Sequence, residues 1–258
     1  MQLNDFAFFP RRSFTKQDDY LDYIAKYALT ESWGENRRYL ERYVDYNFQL
    51  SYEQGLVVEA QDRSYALWRV GNLVTRDNEP ISISCLRNRI EGKQPYFFVR
   101  VYNSRRCEIR AGTEQIEIPA PPSPRYDIPE YQAGYDLVYQ FDHYLEDNRE
   151  RAEQALPGLT DHQRFLCVFA SAHLAHKREA AVPQWYRDKR AGSGTYQWLL
   201  PLHISHDDIS RCPDLVATLD PDDTHREYRI RTLLPPAWAY PNARVVSGRD
   251  PRFRAWAA

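Results

Sequence analysis

The chain has 258 residues, of which 43% are hydrophobic and 27% charged, and its formal net charge is −2. That composition is ordinary for a soluble globular protein large enough to bury an ample core. A total so near zero excludes overall electrostatic attraction to nucleic acid, so any such affinity must be local.

The charge is in fact segregated. Residues 126–150 sum to −6 and 205–223 to −5, whereas 176–190 sum to +3 and 226–254 to +5. Tyrosine is over-used, with 19 copies, and a ring with a wet hydroxyl suits half-covered sheets and binding faces. Four cysteines at 85, 107, 167 and 212 form no close pair, which reads as reduced thiols rather than a zinc knuckle or disulfide framework. With no basic-then-apolar leader and no apolar run of membrane-spanning length, the expected location is the cytoplasm, with no membrane partner.

In chain order, Thr15 with Asp18 resembles a capping box, and Leu21, Ile24, Ala25 and Ala28 follow at helical spacing. After Trp33-Gly34 a second helix carries Tyr39, Tyr43, Tyr46 and Leu50 on one stripe and stops at Gly55. The pair fits a helical hairpin or part of a winged helix. Arg37, Arg38 and Arg42 interleave with Glu35, Glu41 and Asp45, the mark of a solvated face rather than a DNA-reading helix.

From Leu56 the period changes to two. Leu56–Ala60 and Ser64–Val70 predict a hairpin, and Pro80–Leu86 and Tyr96–Tyr102 predict further strands. Strict alternation puts Tyr96, Phe98, Arg100 and Tyr102 on one face, the aromatic and Arg mixture on which bases stack. The prolines of 119–131 preclude regular structure. They mark either a connection draped across the sheet or a boundary between halves, and too few strands precede them to close a core, which favours the connection. The chain then reads as one domain over 1–258, a helical segment 1–55 followed by sheet and long helix 56–258, with no internal repeat.

Thr160 and Gln163 form a second capping-box pair. The helix they open bears Phe165, Phe169, Ala172 and His173 beside Leu166, Ala170 and Leu174, wide enough to pack across a sheet. It ends near Arg178, ahead of Pro183. Tyr196–Ile204, Leu215–Leu219 and Tyr228–Leu233 predict strands, and 238–246 a short helix or coil. Strands and helices in blocks point to α+β: a mainly antiparallel sheet with an N-terminal helical pair and one long helix packed on it.

The residues suited to a ligand cluster at the joints. Lys177 and Arg178 would meet a phosphate, Gln184 a base edge, and Trp185 or Tyr186 a base face. Asn242 and Arg244, two apart after an uncharged stretch, would project together if extended. His173 and His176 stand three apart on a helix without the general-base Glu of a zinc site, so no metal and no cofactor is expected. The absence of Walker, Gly-x-Gly-x-x-Gly and Gly-x-Ser-x-Gly motifs argues against the nucleotide and hydrolase chemistries that use them.

Several islands spread over the chain carry a resemblance: Phe6-Ala-Phe-Phe-Pro-Arg-Arg12, Gly71-Asn-Leu-Val-Thr75, Gln94-Pro-Tyr-Phe-Phe98, Asp142-His-Tyr-Leu-Glu-Asp-Asn-Arg149, Ala180-Ala-Val-Pro-Gln-Trp-Tyr186, Leu199-Leu-Pro-Leu202 and Ala239-Tyr-Pro-Asn-Ala-Arg244. Together they resemble the bacterial family DUF3825, a domain of unknown function, which implies one folding unit and no defined reaction. The leading expectation is a protein that binds a nucleotide or single-stranded RNA, with Asn72 and Arg100 joining Lys177, Arg178, Gln184, Trp185, Tyr186, Asn242 and Arg244. A phosphoester or nucleotide hydrolase or transferase using His143, Asp142 or Asp147 as acid or base is the first alternative. A protein-binding accessory factor is the second.

Overall fold

The computed structural model describes residues 1–10, 19–110, 114–122, 128–187, 194–248 and 256. The chain divides into two compact units, Met1–Ser123 and Pro124–Ala258, the division falling in the proline-rich stretch. The fold is α+β, and the strands that the sequence gathers into one sheet form two five-stranded sheets and a separate hairpin.

In the first unit α1 (Leu3–Phe6) runs into β1 (Ala7–Phe8). The helical pair follows as α2 (Tyr20–Tyr27) and α3 (Arg38–Glu53). Asp19 caps α2, its carboxylate accepting from the Leu21 N–H at 3.0 Å, whereas the Thr15–Asp18 pair lies outside the described residues. Of the predicted stripe of α3, Tyr39, Tyr43 and Leu50 are buried and Tyr46 is half-buried, while Phe48, outside that stripe, is buried with them. Strands β2 (Val58–Glu59), β3 (Tyr65–Val74), β4 (Pro80–Arg87) and β5 (Tyr96–Tyr102) form an antiparallel meander, and β1 pairs parallel with β5. The hairpin of β6 (Arg106–Arg110) and β7 (Glu114–Glu117) stands apart from that sheet.

Two local devices shape this sheet. At Gly71 the backbone takes φ 53°, and a Cβ there would meet Asn47 Oδ1 at 2.2 Å, so only glycine fits. Beside it the Tyr43 hydroxyl donates to Asn72 Oδ1 at 2.8 Å and accepts from the Asn72 N–H at 3.1 Å, fastening β3 to α3. The second device is a bulge. Ser84 pairs with Arg100 but Cys85 pairs with Phe98, which leaves Val99 as an extra residue and reverses the alternation. Tyr96 is therefore buried and Phe98 packs on Tyr20 and Phe9, while Phe97, Val99 and Arg100 are exposed. The expected continuous face of Tyr96, Phe98, Arg100 and Tyr102 does not exist.

The second unit opens with β8 (Asp136–Val138), then α4 (Phe141–His143), a π-helical turn at Tyr144–Asn148, α5 (Arg149–Ala155) and α6 (Asp161–Lys177). The capping box of α6 closes as predicted, Gln163 N–H to Thr160 Oγ1 at 3.3 Å and Thr160 N–H to Gln163 Oε1 at 2.9 Å. Its buried stripe is Arg164, Val168, Ala172, Ala175 and His176, rotated from the predicted one. His173 is exposed and His176 is the core histidine. A carbonyl can only accept, so His176 Nε2–H donates to Tyr135 O at 2.9 Å and Nδ1 accepts from the Tyr131 hydroxyl at 2.6 Å. That neutral tautomer agrees with burial, which lowers the His176 pKa. Strands β9 (Val182–Arg187), β10 (Gly194–Leu202), β11 (Leu215–Asp222) and β12 (Glu227–Leu234) form a second antiparallel meander. Here β8 pairs parallel with β12, and α7 (Pro236–Ser247) follows.

The two units share one topology: a short strand, helices ending in a long one, and a four-strand meander whose last strand pairs parallel with the first. The repeat that no residue pattern reveals is thus present in the strand order.

A local strain closes α6. Ala180 N–H bonds to Ala175 O at 3.1 Å and Glu179 N–H to His176 O at 3.0 Å, a Schellman ending that places Glu179 at φ 54°. A side chain there costs roughly 1–2 kcal/mol, and glycine's extra unfolded entropy returns roughly 0.5–1 kcal/mol of that. Glu179→Gly should therefore stabilise the protein by about 0.5–1 kcal/mol, raising Tm by roughly 1–4 °C in scanning calorimetry. A fall in Tm would show that the carboxylate contributes more than its backbone strain costs.

Candidate functional site

The structure brings some of the predicted ligand residues together and separates others. Gln184 on β9 is 1% exposed and sits opposite Gln197 on β10. Asn242 Nδ2 donates to Gln184 Oε1 at 3.0 Å, Gln184 Nε2 to Gln197 Oε1 at 3.0 Å, and Gln197 Nε2 to Asp220 Oδ1 at 2.6 Å. Arg231 Nε completes the run on Asp220 Oδ2 at 3.0 Å. This polar relay crosses β9, β10, β11 and β12 and ties α7 to them, and it consumes the amides that were expected to read a base. Tyr186 is exposed beside it, in a groove shared with Arg229 and Arg231. Trp185 faces the other way and is buried, its ring edge-on to Tyr196 at 5.3 Å.

The expected phosphate cradle is not formed as drawn. The 238–246 segment belongs to a helix, where residues two apart diverge by about 200°, so Asn242 meets Gln184 while Arg244 is wholly buried. Arg244 offers a ligand no surface. Lys177 and Arg178 are exposed at the end of α6. Asn72 is held by Tyr43, and Arg100 is exposed on β5. Both ring nitrogens of His143 are engaged within the fold, Nε2 by Arg231 O at 2.5 Å and Nδ1 by Asp147 at 3.1 Å, and Asp142 is exposed.

The first unit carries a feature that the alternation concealed. Phe8 on β1 and Phe97 on β5 are direct partners in the parallel pairing, and both are left open, at 46% and 37% exposure. The preceding pair, Ala7 and Tyr96, is buried, so the sheet edge turns one pair inward and presents the next. Tyr96 completes the inner layer by donating to Glu59, and burial pushes its phenol well above the usual range. The same groove is lined by Asp62, Leu86, Arg87, Asn88, Arg89 and Glu91, so two carboxylates stand on the lining with the two guanidinium groups. The β4–β5 turn sets those cations: Arg87 N–H bonds to Ser64 O at 2.9 Å, Asn88 N–H to Pro95 O at 2.8 Å, and Ile90 N–H to Asn88 Oδ1 at 3.1 Å. Among the described residues neither Arg87 nor Arg89 has a carboxylate partner. No group of His, Cys, Asp and Glu among the described residues could hold a metal ion, and no helix there is long and apolar enough to cross a membrane.

Fold and groove together describe a two-unit α+β protein with an open aromatic pair and charges of both signs in a groove of its first sheet. The family model for "Domain of unknown function (DUF3825)" matches residues 24–252, and the chain belongs to that family. Comparison with curated proteins and with solved structures gave no match.

Proposed function

We propose that this protein binds single-stranded RNA or its component nucleotides on the outer face of its first sheet. The observation that carries the reading is the register-paired, exposed Phe8 and Phe97 with Arg87 and Arg89 in the same groove. Neighbouring strands lie about 4.8 Å apart, so two successive unstacked bases of one strand reach both rings. Each base stacked on an aromatic ring is worth roughly 1–3 kcal/mol, and the cations meet the backbone phosphates on either side. A duplex hides its base faces and gains only the electrostatic part. This placement moves the expected aromatic and Arg surface from Tyr96 and Phe98 to Phe8 and Phe97, with Arg100 on the same strand.

Fluorescence anisotropy with labelled oligo(U), oligo(A) and a duplex at low salt tests it. Single strands should bind in preference to the duplex, and Phe97→Ala should weaken them by roughly 5–150-fold, one stacked base. Arg87→Ala and Arg89→Ala should each flatten the dependence of log K on log salt by about 0.7. If no oligonucleotide binds at low salt, or Phe97→Ala binds like the parent, the reading falls and the open ring pair is left as a protein contact.

A further inference from the structure

A separate cavity of about 240 Å³ lies within the second unit, where α6 hands over to β9 and β10 runs on past the start of β9. It is smaller than the roughly 300–1,000 Å³ sites of drug-sized ligands. Its walls are apolar, from Leu174, Val182, Pro201 and Ile209, and Leu174 and Ile209 are large side chains left 44% and 66% exposed. Charges of both signs stand on the same lining: Arg178 against Glu179 and Asp207. Among the described residues none of these three has an ion-pair partner, although Arg178 lies near enough to His203 to act on it electrostatically.

His203 is a further polar element of the lining. Its Nδ1 is buried without a hydrogen-bond partner among the described residues, a condition that costs roughly 1–3 kcal/mol until something meets it. Burial and the neighbouring His206, 5.2 Å away ring to ring, both lower its pKa, which keeps the imidazole neutral and able to donate or accept. The surrounding loop is already fixed. Asp214 accepts from the Ile204 and Ser205 N–H groups at 2.7 and 2.8 Å, and Ser171 Oγ donates to His203 O at 3.2 Å.

A simple anion entering here would meet Glu179 and Asp207, and a simple cation would meet Arg178. A ligand that carries both charges at one end and an apolar body at the other meets neither penalty. We infer that this cavity binds a small zwitterion with an apolar side chain, an α-amino acid of leucine or phenylalanine size. Its carboxylate would face Arg178 and His203, its ammonium Asp207 and Glu179, and its side chain Leu174, Val182 and Ile209.

Isothermal titration of the full chain with L-phenylalanine and L-leucine tests this, beside N-acetyl-L-phenylalanine, which lacks the ammonium, and L-phenylalaninamide, which lacks the carboxylate. The free amino acids should bind, and each blocked probe should bind roughly tenfold more weakly or worse, the loss of one charge-assisted contact. In Arg178→Ala, and in Arg178→Gln should the first not fold, L-phenylalanine should weaken by a similar factor while its advantage over L-phenylalaninamide disappears. Asp207→Asn should likewise erase the advantage over the N-acetyl probe. A general folding defect would not select between probes in this way. No heat from either free amino acid, or blocked probes binding as tightly as free ones, overturns the assignment.

Discussion

Trp68→Ala should destabilise the protein by about 3–5 kcal/mol, the cost of truncating a large aromatic in a close-packed core. Trp68 is, with Trp256, among the largest fully buried side chains of the described residues, and aromatic rings from α1, α3 and the chain just after β1 surround it. Phe6 and Phe9 approach edge-on with centroids at 6.2 Å, and Phe48 of α3 stands 5.0 Å away. These rings belong to segments distant in sequence, so no single neighbour can move in to fill the void. Phe6 also stacks toward Tyr96 at 4.8 Å, which links the cavity to the strand that presents Phe97. The indole N–H of Trp68 is buried without a partner among the described residues, so part of the ring's worth is already cancelled. Trp68→Phe keeps most of the ring and removes that donor, and it should fall within about 1 kcal/mol of the parent. Urea unfolding followed by circular dichroism separates the two variants. An alanine variant within ~1 kcal/mol of the parent would show that the aromatic layer collapses to fill the space.

How far the sequence foretold this arrangement differs from element to element. The α6 capping box was legible because both of its bonds are local, Thr160 with Gln163. Strands β3, β4 and β5 were legible from alternation, but the face they show was not. The bulge at Val99 arises from how β4 and β5 are paired, and it exchanges Phe98 for Phe97 as the outward ring. Strand β9 is not legible in the sequence because Pro183 lies within it, tolerated there since β9 is a sheet edge. Pro241 left 238–246 open between short helix and coil, and only the extended alternative made Asn242 and Arg244 a surface fork. The shared topology of the two units is invisible in residue patterns because each fills its core differently. Helix α3 buries Tyr39, Tyr43 and Phe48 where α6 buries Val168, Ala172 and Ala175. Nothing local in the sequence singles out Phe8, Arg87 or Arg89, because only tertiary pairing places them in one groove.

The second large effect concerns how the edge of β12 is finished. Strand β8 covers only Glu227–Arg229, so the backbone groups of Arg231 and Leu233 lie beyond its reach. Side chains replace the missing strand. Asn148, 0% exposed, accepts from Leu233 N–H at 2.7 Å and donates to Arg231 O at 3.3 Å, and Arg151 donates to Leu233 O at 3.0 Å. The amide of Asn148 has a donor and an acceptor in the order that a neighbouring backbone would present. Asn148→Leu keeps the volume, strands a buried N–H, and should cost about 2–4 kcal/mol. Asn148→Asp makes the argument specific. An ionised carboxylate still accepts from Leu233 but turns a second acceptor toward the Arg231 carbonyl, while the protonated acid can donate to it. Burial and that carbonyl both favour the protonated form, so the folded-state pKa of Asp at this site lies above its unfolded value of about 3.9. Stability held below that unfolded value is then lost as the pH climbs toward the raised folded one. Urea titrations should therefore find Asn148→Asp close to the parent near pH 4 and weaker by about 2–4 kcal/mol at pH 7, each compared with the parent at the same pH. An equal deficit at both values would mean that Asn148 fills space rather than standing in for a strand.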